Sequence, residues 1–424
     1  MQKISREKIF QQIQEAGGQV FLTGGCVRDE LLDLPVKDLD VVVFGMDETG
    51  LKDQLAQFGR VLSYGKSFMI FQIRGFSIEF SLPRKPMPVA AGSMEEALKA
   101  DARGRDFTIN ALYRHAVTGS LADPLNGLKD LETKKLRMAS SQAFQDDPLR
   151  AYRAVQLVSR LCFELEPETK RAMTAVDTAG IPAERIHEEL NKWLMAAEPQ
   201  RGWELMMETG HLPDLLHQEL LSNQLTDSGS DRVSVMPAIL AAASRRREKS
   251  TDPVSFMWSV LLAPLIICSK NQMMSRHGKD PLHQQMVDGY KNFSRHHQRA
   301  DRVAGLLRAT ENFLWRTERK ADVLRLCGMT DPQDLELIVE TLFPLWELYG
   351  MQSMIRKNLR KFNRWKTNQT IKPVVTGNDL KALGYQDGPE MGIWLEAAFQ
   401  MQLEGVLKED LMSFFQYFRF IRNK

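Results

Sequence analysis

An α+β head followed by an all-helical body is the fold class that the sequence predicts. Three observations carry it. Runs rich in β-branched and aromatic residues, such as 38–44 (DLDVVVF) and 76–82, fall in the first 115 residues, interspersed with three helical stretches. Strand signals almost vanish after residue 140. From there 148–161, 167–176, 182–195 and 201–208 show helical periodicity, several with Pro near the first turn, where its missing N–H does no harm.

In order, 3–16 reads as a helix, 19–22 as a short apolar strand running into Thr23-Gly24-Gly25, and 27–32 as a helix. Strand 38–44 follows, then a helix near 48–57 and three strand-like runs at 60–63, 68–73 and 76–82. A small mixed sheet of about five strands is expected, with helices around it. The polar segment 222–234 and the segment 367–378 read as joints. Composition thus suggests four parts: 1–140, 141–222, 223–366 and 367–424.

The 424 residues, 43 % hydrophobic and 26 % charged, have the profile of a soluble globular protein. No apolar run is long enough for a membrane span. The longest, 260–268, contains Pro264, and the start MQKISREKIF lacks an apolar signal core. Cys26, Cys162, Cys268 and Cys327 lie far apart with no CxxC pair, which points to a reducing cytoplasm rather than a disulfide or zinc framework. Net charge is only +2, so nucleic-acid binding would rest on local clusters. Arg245-Arg246-Arg247 is one. The stretch 356–366 (RKNLRKFNRWK) is another, with six cations around Phe362 and Trp365, placed to track phosphates while an aromatic ring stacks or packs.

The chemistry concentrates near the N-terminus. Gly24-Gly25 between a strand and a helix lets backbone N–H groups approach a phosphate, and Arg28 in the helix's first turns adds a charge-assisted donor. Asp38 and Asp40, at i and i+2 on a strand, aim two carboxylates at one point, the donor type that Mg2+ takes together with substrate phosphates. Glu79, on a later strand, is a possible third carboxylate. Asp106, ahead of Thr108 and Asn110, suits a helix N-cap. Asp147, Arg150 and Arg153 at i, i+3 and i+6 of one helix share a face, where they form either an ordinary ion pair or a hydrogen-bonding edge for a base. His296-His297 lacks an acidic partner in metal-ligand spacing and reads as solvated or RNA-facing.

GGCVRDELLDLPVKDLDVVV resembles the signature of class II tRNA nucleotidyltransferases and bacterial poly(A) polymerases, within the DNA polymerase β-like superfamily. RGRDFTINALY, DPLNGLKDLETKKLR, DDPLRAYRAVQLVSRLCFEL and PAERIHEEL resemble later motifs of that family, over the first 220 residues. The tail VVTGNDLKALGYQDGPEMG resembles the C-terminus of bacterial CCA-adding enzymes. The middle, 220–350, matches poorly.

This resemblance implies a nucleotidyltransferase head at 1–140, a nucleotide-template neck at 141–222, a helical body at 223–366 and an RNA-binding tail at 367–424. It implies addition of CMP and AMP to the 3′ end of tRNA, from CTP and ATP, with Asp38 and Asp40 as catalytic metal ligands. It implies nucleotide contacts by Gly24, Gly25, Arg28, Arg105, Asp106, Asn110, Asp147, Arg150 and Arg153, with Arg185 supporting the template helix; His187, in the helix after the template helix, reads as a helix-surface residue. The same resemblance leaves open CC-only or poly(A) addition and, in a different class, a catalytically silent RNA-binding protein. Two departures stand out. Gly104 replaces the first of two arginines that the family normally places before Asp106. The segment 84–103, a longer flexible loop in the family and linked there to the switch from C to A addition, is short and begins Pro-rich. No His-Asp dipeptide occurs, so phosphohydrolase activity is not expected, and no obligate protein partner is evident.

Overall fold

The computed structural model describes residues 5–65, 69–84, 93–213, 216, 228–271, 288–294, 296–315, 317, 319–367 and 372–422. The chain divides into two compact units, Met1–Glu189 with Leu205–His211, and Leu190–Glu204 with Leu212–Lys424.

The first unit is built on a seven-stranded sheet of order β3-β4-β5-β2-β1-β6-β7. Its strands are β1 (Gln19–Thr23), β2 (Leu39–Phe44), β3 (Val61–Tyr64), β4 (Ile70–Ile73), β5 (Ile78–Ser81), β6 (Tyr113–His115) and β7 (Leu121–Ala122). The β2–β5 pair is parallel and the other pairs are antiparallel. Two strands more than expected appear, because β6 and β7 are too short to display a period-two signal. Alternation sorts the side chains onto two faces. Val20, Val41, Val43, Phe71, Ile73, Ile78 and Phe80 pack with helices α1 (Arg6–Glu15) and α3 (Glu48–Ala56). Phe21, Val42, Phe44 and Tyr113 pack on the other face, with Ala97, Leu98 and Ala102 of α4 (Met94–Arg103). Each such large apolar side chain contributes about 1.5–3 kcal/mol on burial.

Helix α2 (Gly25–Leu31) follows β1 directly. The segment 84–103, expected to be a loop, is half helix: Ser93 and Glu96 form a capping box that starts α4. Residues 85–92 lie outside the described residues. After α4 the chain makes a 3-10 turn, Thr108–Asn110, and helix α5 (Gly127–Glu132) packs against it so closely that a Cβ at Gly127 would overlap the Thr108 carbonyl. Thr108 Oγ1 donates to Asp130 at 2.7 Å, locking the two motifs together. The remaining helices of this unit are α6 (Ala143–Asp146), α7 (Arg150–Leu161), α8 (Pro167–Thr174), α9 (Ala183–Leu194) and α10 (Pro199–Thr209), with α9 and α10 continuing into the second unit. Strands β8 (Lys135–Leu136) and β9 (Glu164–Leu165) form a small parallel pair.

The second unit is helical among the described residues. Fully buried Trp258 and Trp346 anchor it, and Val375, Leu380, Met391, Leu411 and Phe415 make a separate cluster near the C-terminus. Helix Ser228–Ser244 occupies part of the stretch expected as a joint, whereas 222–227 lie outside the described residues. Among the described residues no helix is long and apolar enough to cross a membrane.

Candidate active site

Period-two alternation places Asp40 on the α4 face of β2, with Val42 and Phe44. In register, Asp40 lies opposite Thr23 of β1 and Glu79 of β5. Asp38 is exposed in a bend just before β2. Burial first, then the Glu79 carboxylate, hold the Asp40 carboxyl above the usual carboxylate range. Arg105 and Arg153 pull it back down, and Asp38 adds a smaller push upward. Glu79 accepts a hydrogen bond from the Tyr64 hydroxyl at 2.8 Å. The Tyr64 hydroxyl is pushed up to about 12, by burial and then by that bond.

A half-buried carboxylate raised partly by its carboxylate neighbours marks unbalanced negative charge. Such a donor set suits a hard cation with oxygen ligands. Among the described residues no cluster of three or more His, Cys, Asp or Glu stands ready for a metal. Mg2+ commonly needs only one or two carboxylates and completes its shell with water and substrate phosphates.

Gly24 holds this corner open. Its φ of 74° favours glycine, and a Cβ there would stand 2.8 Å from Asp40 Oδ2. Gly24→Ala is therefore expected to strain the backbone and displace the carboxylate together. Turnover should fall by about 100-fold or more, since misplacement by 1 Å costs that much, while denaturant melts show a loss of about 1–3 kcal/mol. Unchanged turnover would refute this placement of Asp40.

Behind the carboxylates runs a continuous ionic chain. Arg160 donates to Asp29 Oδ2 at 2.7 Å, and Arg28 donates to Asp29 Oδ1 at 2.7 Å and to Asn110 Oδ1 at 2.6 Å. Asn110 donates to Asp106 Oδ1 at 3.0 Å, and Arg153 donates to Asp106 Oδ2 at 3.1 Å while lying 3.8 Å from Glu189. The chain ties α2, the 3-10 turn, α7 and α9 together. Burial alone would raise the Asp106 carboxyl, but Arg153, Asn110 and the Phe107 N–H outweigh it and hold it below the usual range. Its stabilising charge is therefore present above about pH 4, the ordinary aspartate value, and is lost as pH falls through the lowered folded value.

Arg105 is fixed separately. It pairs with Asp101 at 3.0 Å, and its Nε donates to Tyr113 Oη at 3.0 Å, while Tyr113 donates to Asp101 Oδ2 at 2.6 Å. Asp106, expected as a helix N-cap, instead accepts from the N–H of its neighbour Phe107.

The expected template differs from its prediction. Asp147 does not share a helix with Arg150 and Arg153. It sits at the end of α6 in an extended conformation, and Arg150 opens α7. Arg150 is buried, and it donates to the Gly104 carbonyl at 2.6 Å and the Arg105 carbonyl at 2.8 Å, so it caps the end of α4. Asp147 instead pairs with Arg185 at 3.2 Å. His187, expected on the helix surface, is buried.

Two basic clusters also resolve. In helix Gln352–Trp365, Phe362 is fully buried against Phe313 and is not available to stack on a base, whereas Arg356, Lys357, Arg360 and Arg364 are exposed. Arg247 donates to the Leu194 and Ala196 carbonyls. His296 and His297 are exposed and line a cavity of about 690 Å³ with Asp252, Arg299 and Arg302.

Sequence reasoning missed Tyr64, Arg160 and Glu189. Each joins the site through pairing between distant segments and carries no local signal.

Comparison with known proteins fits this geometry. Residues 20–137 match the poly A polymerase head domain, and 162–220 match the probable RNA and SrmB-binding site of polymerase A. A multifunctional CCA protein of Chromobacterium violaceum is 37 % identical over 210 residues, which cover 47 % of this chain and 50 % of the relative. One of Psychromonas ingrahamii is 35 % identical over 217 residues, covering 48 % and 51 %. The chain thus spans about half the length of the curated relatives it matches. Among solved structures, the Bacillus stearothermophilus CCA-adding enzyme in complex with CTP superposes with a TM-score of 0.67 at 19 % identity, covering 98 % of this chain and 97 % of that one. The Thermotoga maritima CCA-adding enzyme complexed with tRNA gives 0.61 at 19 % identity, covering 98 % and 96 %. At that identity these two speak for the fold. The head-domain match and the sequence relatives make the N-terminal half of the chain similar to poly A polymerases and multifunctional CCA proteins.

Proposed function

We propose that this protein adds CMP and AMP, without a nucleic-acid template, to the 3′ end of tRNA, using CTP and ATP. The observation that carries the reading is the carboxylate group of Asp40, Glu79 and Asp38, set beside Arg105 and Arg153 at the open corner made by Gly24. In this reading Asp38 and Asp40 hold a divalent cation, Mg2+, with Glu79 close by. The bound ion supplies activation of the 3′-hydroxyl and charge relief on the leaving pyrophosphate. Gly24 and Gly25 let the chain approach the phosphates at the start of α2. Arg105 offers a guanidinium to them. Arg28, Asp106, Asn110 and Arg153 hold that floor rigid. Asp147, steadied by Arg185, presents an acceptor to the base edge. Arg150 completes the template only by releasing the Gly104 and Arg105 carbonyls.

The exposed cations of helix Gln352–Trp365 are taken to face tRNA phosphates. Among the described residues, Cys26 and Cys327 carry free thiols, which suits a reducing cytoplasm.

CC-only addition is the second reading. Helix α4 favours it, because it leaves only 82–93 to join β5 to α4 in place of a longer loop. Incubation with tRNA lacking its 3′ end, labelled CTP and ATP, followed by sequencing of the products, separates the cases. CCA ends support the first reading, CC ends the second, and long A runs poly(A) synthesis. No extension at all would refute the transferase reading.

A further inference from the structure

Residues directly opposed on neighbouring strands share a face of the sheet. Across four strands, Tyr113 of β6, Thr23 of β1, Asp40 of β2 and Glu79 of β5 pair in one such row. The row has the carboxylate corner at one end and Tyr113 at the other. Tyr113 and Asp40 lie two strand spacings apart, about 10 Å. A group that Tyr113 holds is therefore held on the Asp40 face of the sheet.

That group is Arg105. Tyr113 and Asp101 are both fully buried. Arg105 Nε shares its hydrogen between Tyr113 Oη and Asp101 Oδ2, each at 3.0 Å, and Nη2 lies 3.0 Å from the same Oδ2. An arginine that serves a carboxylate alone commonly sets two N–H groups against its two oxygens. Here Asp101 Oδ1 accepts from the Arg84 backbone N–H at 2.9 Å, so the guanidinium is turned onto one oxygen, with the Tyr113 hydroxyl as its second stop. Burial would raise the Asp101 carboxyl, but the Arg105 charge, the Tyr113 hydroxyl and the Arg84 N–H outweigh it and hold it below the usual range. An ionised Asp101 only accepts, so Tyr113 donates to it at 2.6 Å and turns a lone pair toward Arg105 Nε.

Two of the three guanidinium nitrogens are thus fixed. Nη1 makes no hydrogen bond among the described residues, and the Arg105 side chain keeps 13 % of its surface exposed. The Arg105 charge reaches the corner, where it pulls the Asp40 carboxyl down. A guanidinium set at one angle, with one nitrogen unengaged, suits a phosphate oxygen.

We propose that Tyr113 and Asp101 are positioning residues, which set the Arg105 guanidinium at the angle that meets the triphosphate of the incoming nucleotide. The inference rests on the transferase reading, and its test separates the two. Binding of CTP and CMP to the full chain is measured with Mg2+ and without RNA, for the wild type, Tyr113→Phe, Arg105→Lys and the double variant. Tyr113→Phe should weaken CTP by about 3- to 10-fold, the worth of one hydrogen bond, and leave CMP within about twofold. Arg105→Lys, which keeps the charge and loses the fork, should weaken CTP by about 10- to 100-fold. Added to Arg105→Lys, Tyr113→Phe should cost CTP less than about twofold more, because it acts through the guanidinium that is already gone.

Equal losses for CTP and CMP in Tyr113→Phe would show a merely structural hydroxyl and overturn the proposal. Full additivity in the double variant would do the same, and so would an Arg105→Lys protein that binds CTP like the wild type. If Tyr113→Phe does not fold, Asp101→Asn takes its place in the same comparison, and a wild-type CTP-to-CMP ratio there overturns the proposal. A wild type that binds CTP alongside an unaffected Tyr113→Phe sinks this inference alone. A wild type that binds neither CTP nor ATP sinks the transferase reading and this inference with it.

Discussion

Asp40→Asn should reduce nucleotide addition by about 10³-fold or more while leaving the metal-free protein at least as stable as the wild type. The first half follows from removing a metal-holding carboxylate from a reaction that depends on charge relief. The second follows from the direction of the Asp40 shift. Its carboxyl is raised by burial and by Glu79, so the folded state holds that proton more tightly than the unfolded one. A raised carboxylate opposes folding above the unfolded pKa of about 3.9, and the neutral amide removes that opposition. Single-turnover extension assays and metal-free urea melts at pH 7 give the two readouts. Retained activity would end the metal reading of Asp40, and a large loss of stability would show that Asp40 serves the fold instead.

Asp29→Ala should cost about 3–5 kcal/mol of stability, because it strands the Arg28 guanidinium in the interior. The Arg28 and Asp29 side chains are only 4 % and 9 % exposed. Asp29 is the sole carboxylate that Arg28 contacts among the described residues. Arg160, 39 % exposed, can turn to water and adds little to the loss. Arg28→Met with Asp29→Leu removes both charges and should be milder than Asp29→Ala alone, since well-packed apolar pairs often replace buried ion pairs without loss. Chemical denaturation of the full chain measures both variants. An Asp29→Ala cost under about 0.5 kcal/mol, typical of an ordinary surface change, would mean that Arg28 finds water or another partner.

The corner of the site was legible where its residues are neighbours in sequence. Gly24-Gly25 before a helix and Asp38-Leu39-Asp40 leading a strand announce themselves by spacing. The dependence of Arg150 on Gly104 and Arg105 was not legible, because an arginine at the start of a helix carries no sign of which carbonyls it will meet. Nor was Arg160 on Asp29, which joins residues 131 positions apart. The Asp147-Arg150-Arg153 face failed for a local reason: Pro148 disfavours helical backbone at Asp147, so the helix starts after it. The buried Phe362 shows the same limit, since an aromatic among cations looks alike whether it stacks on a base or packs on Phe313.

The strand order has a consequence for how the protein is made. The central strands β1 and β2 are the first two synthesised; beyond β1 the sheet grows outward through β6 and β7, whereas beyond β2 the outer strands β3 and β4 precede β5, which joins them to it. Until β5 emerges, the apolar LDVVVF strand has one edge unpaired, and its parallel partner must arrive after the β3–β4 hairpin. An open apolar edge is a place where chains pair with one another. Glu79, which faces Asp40, lies on the strand that closes that edge, so the nascent chain loses its most association-prone surface in the same event that assembles its carboxylate corner.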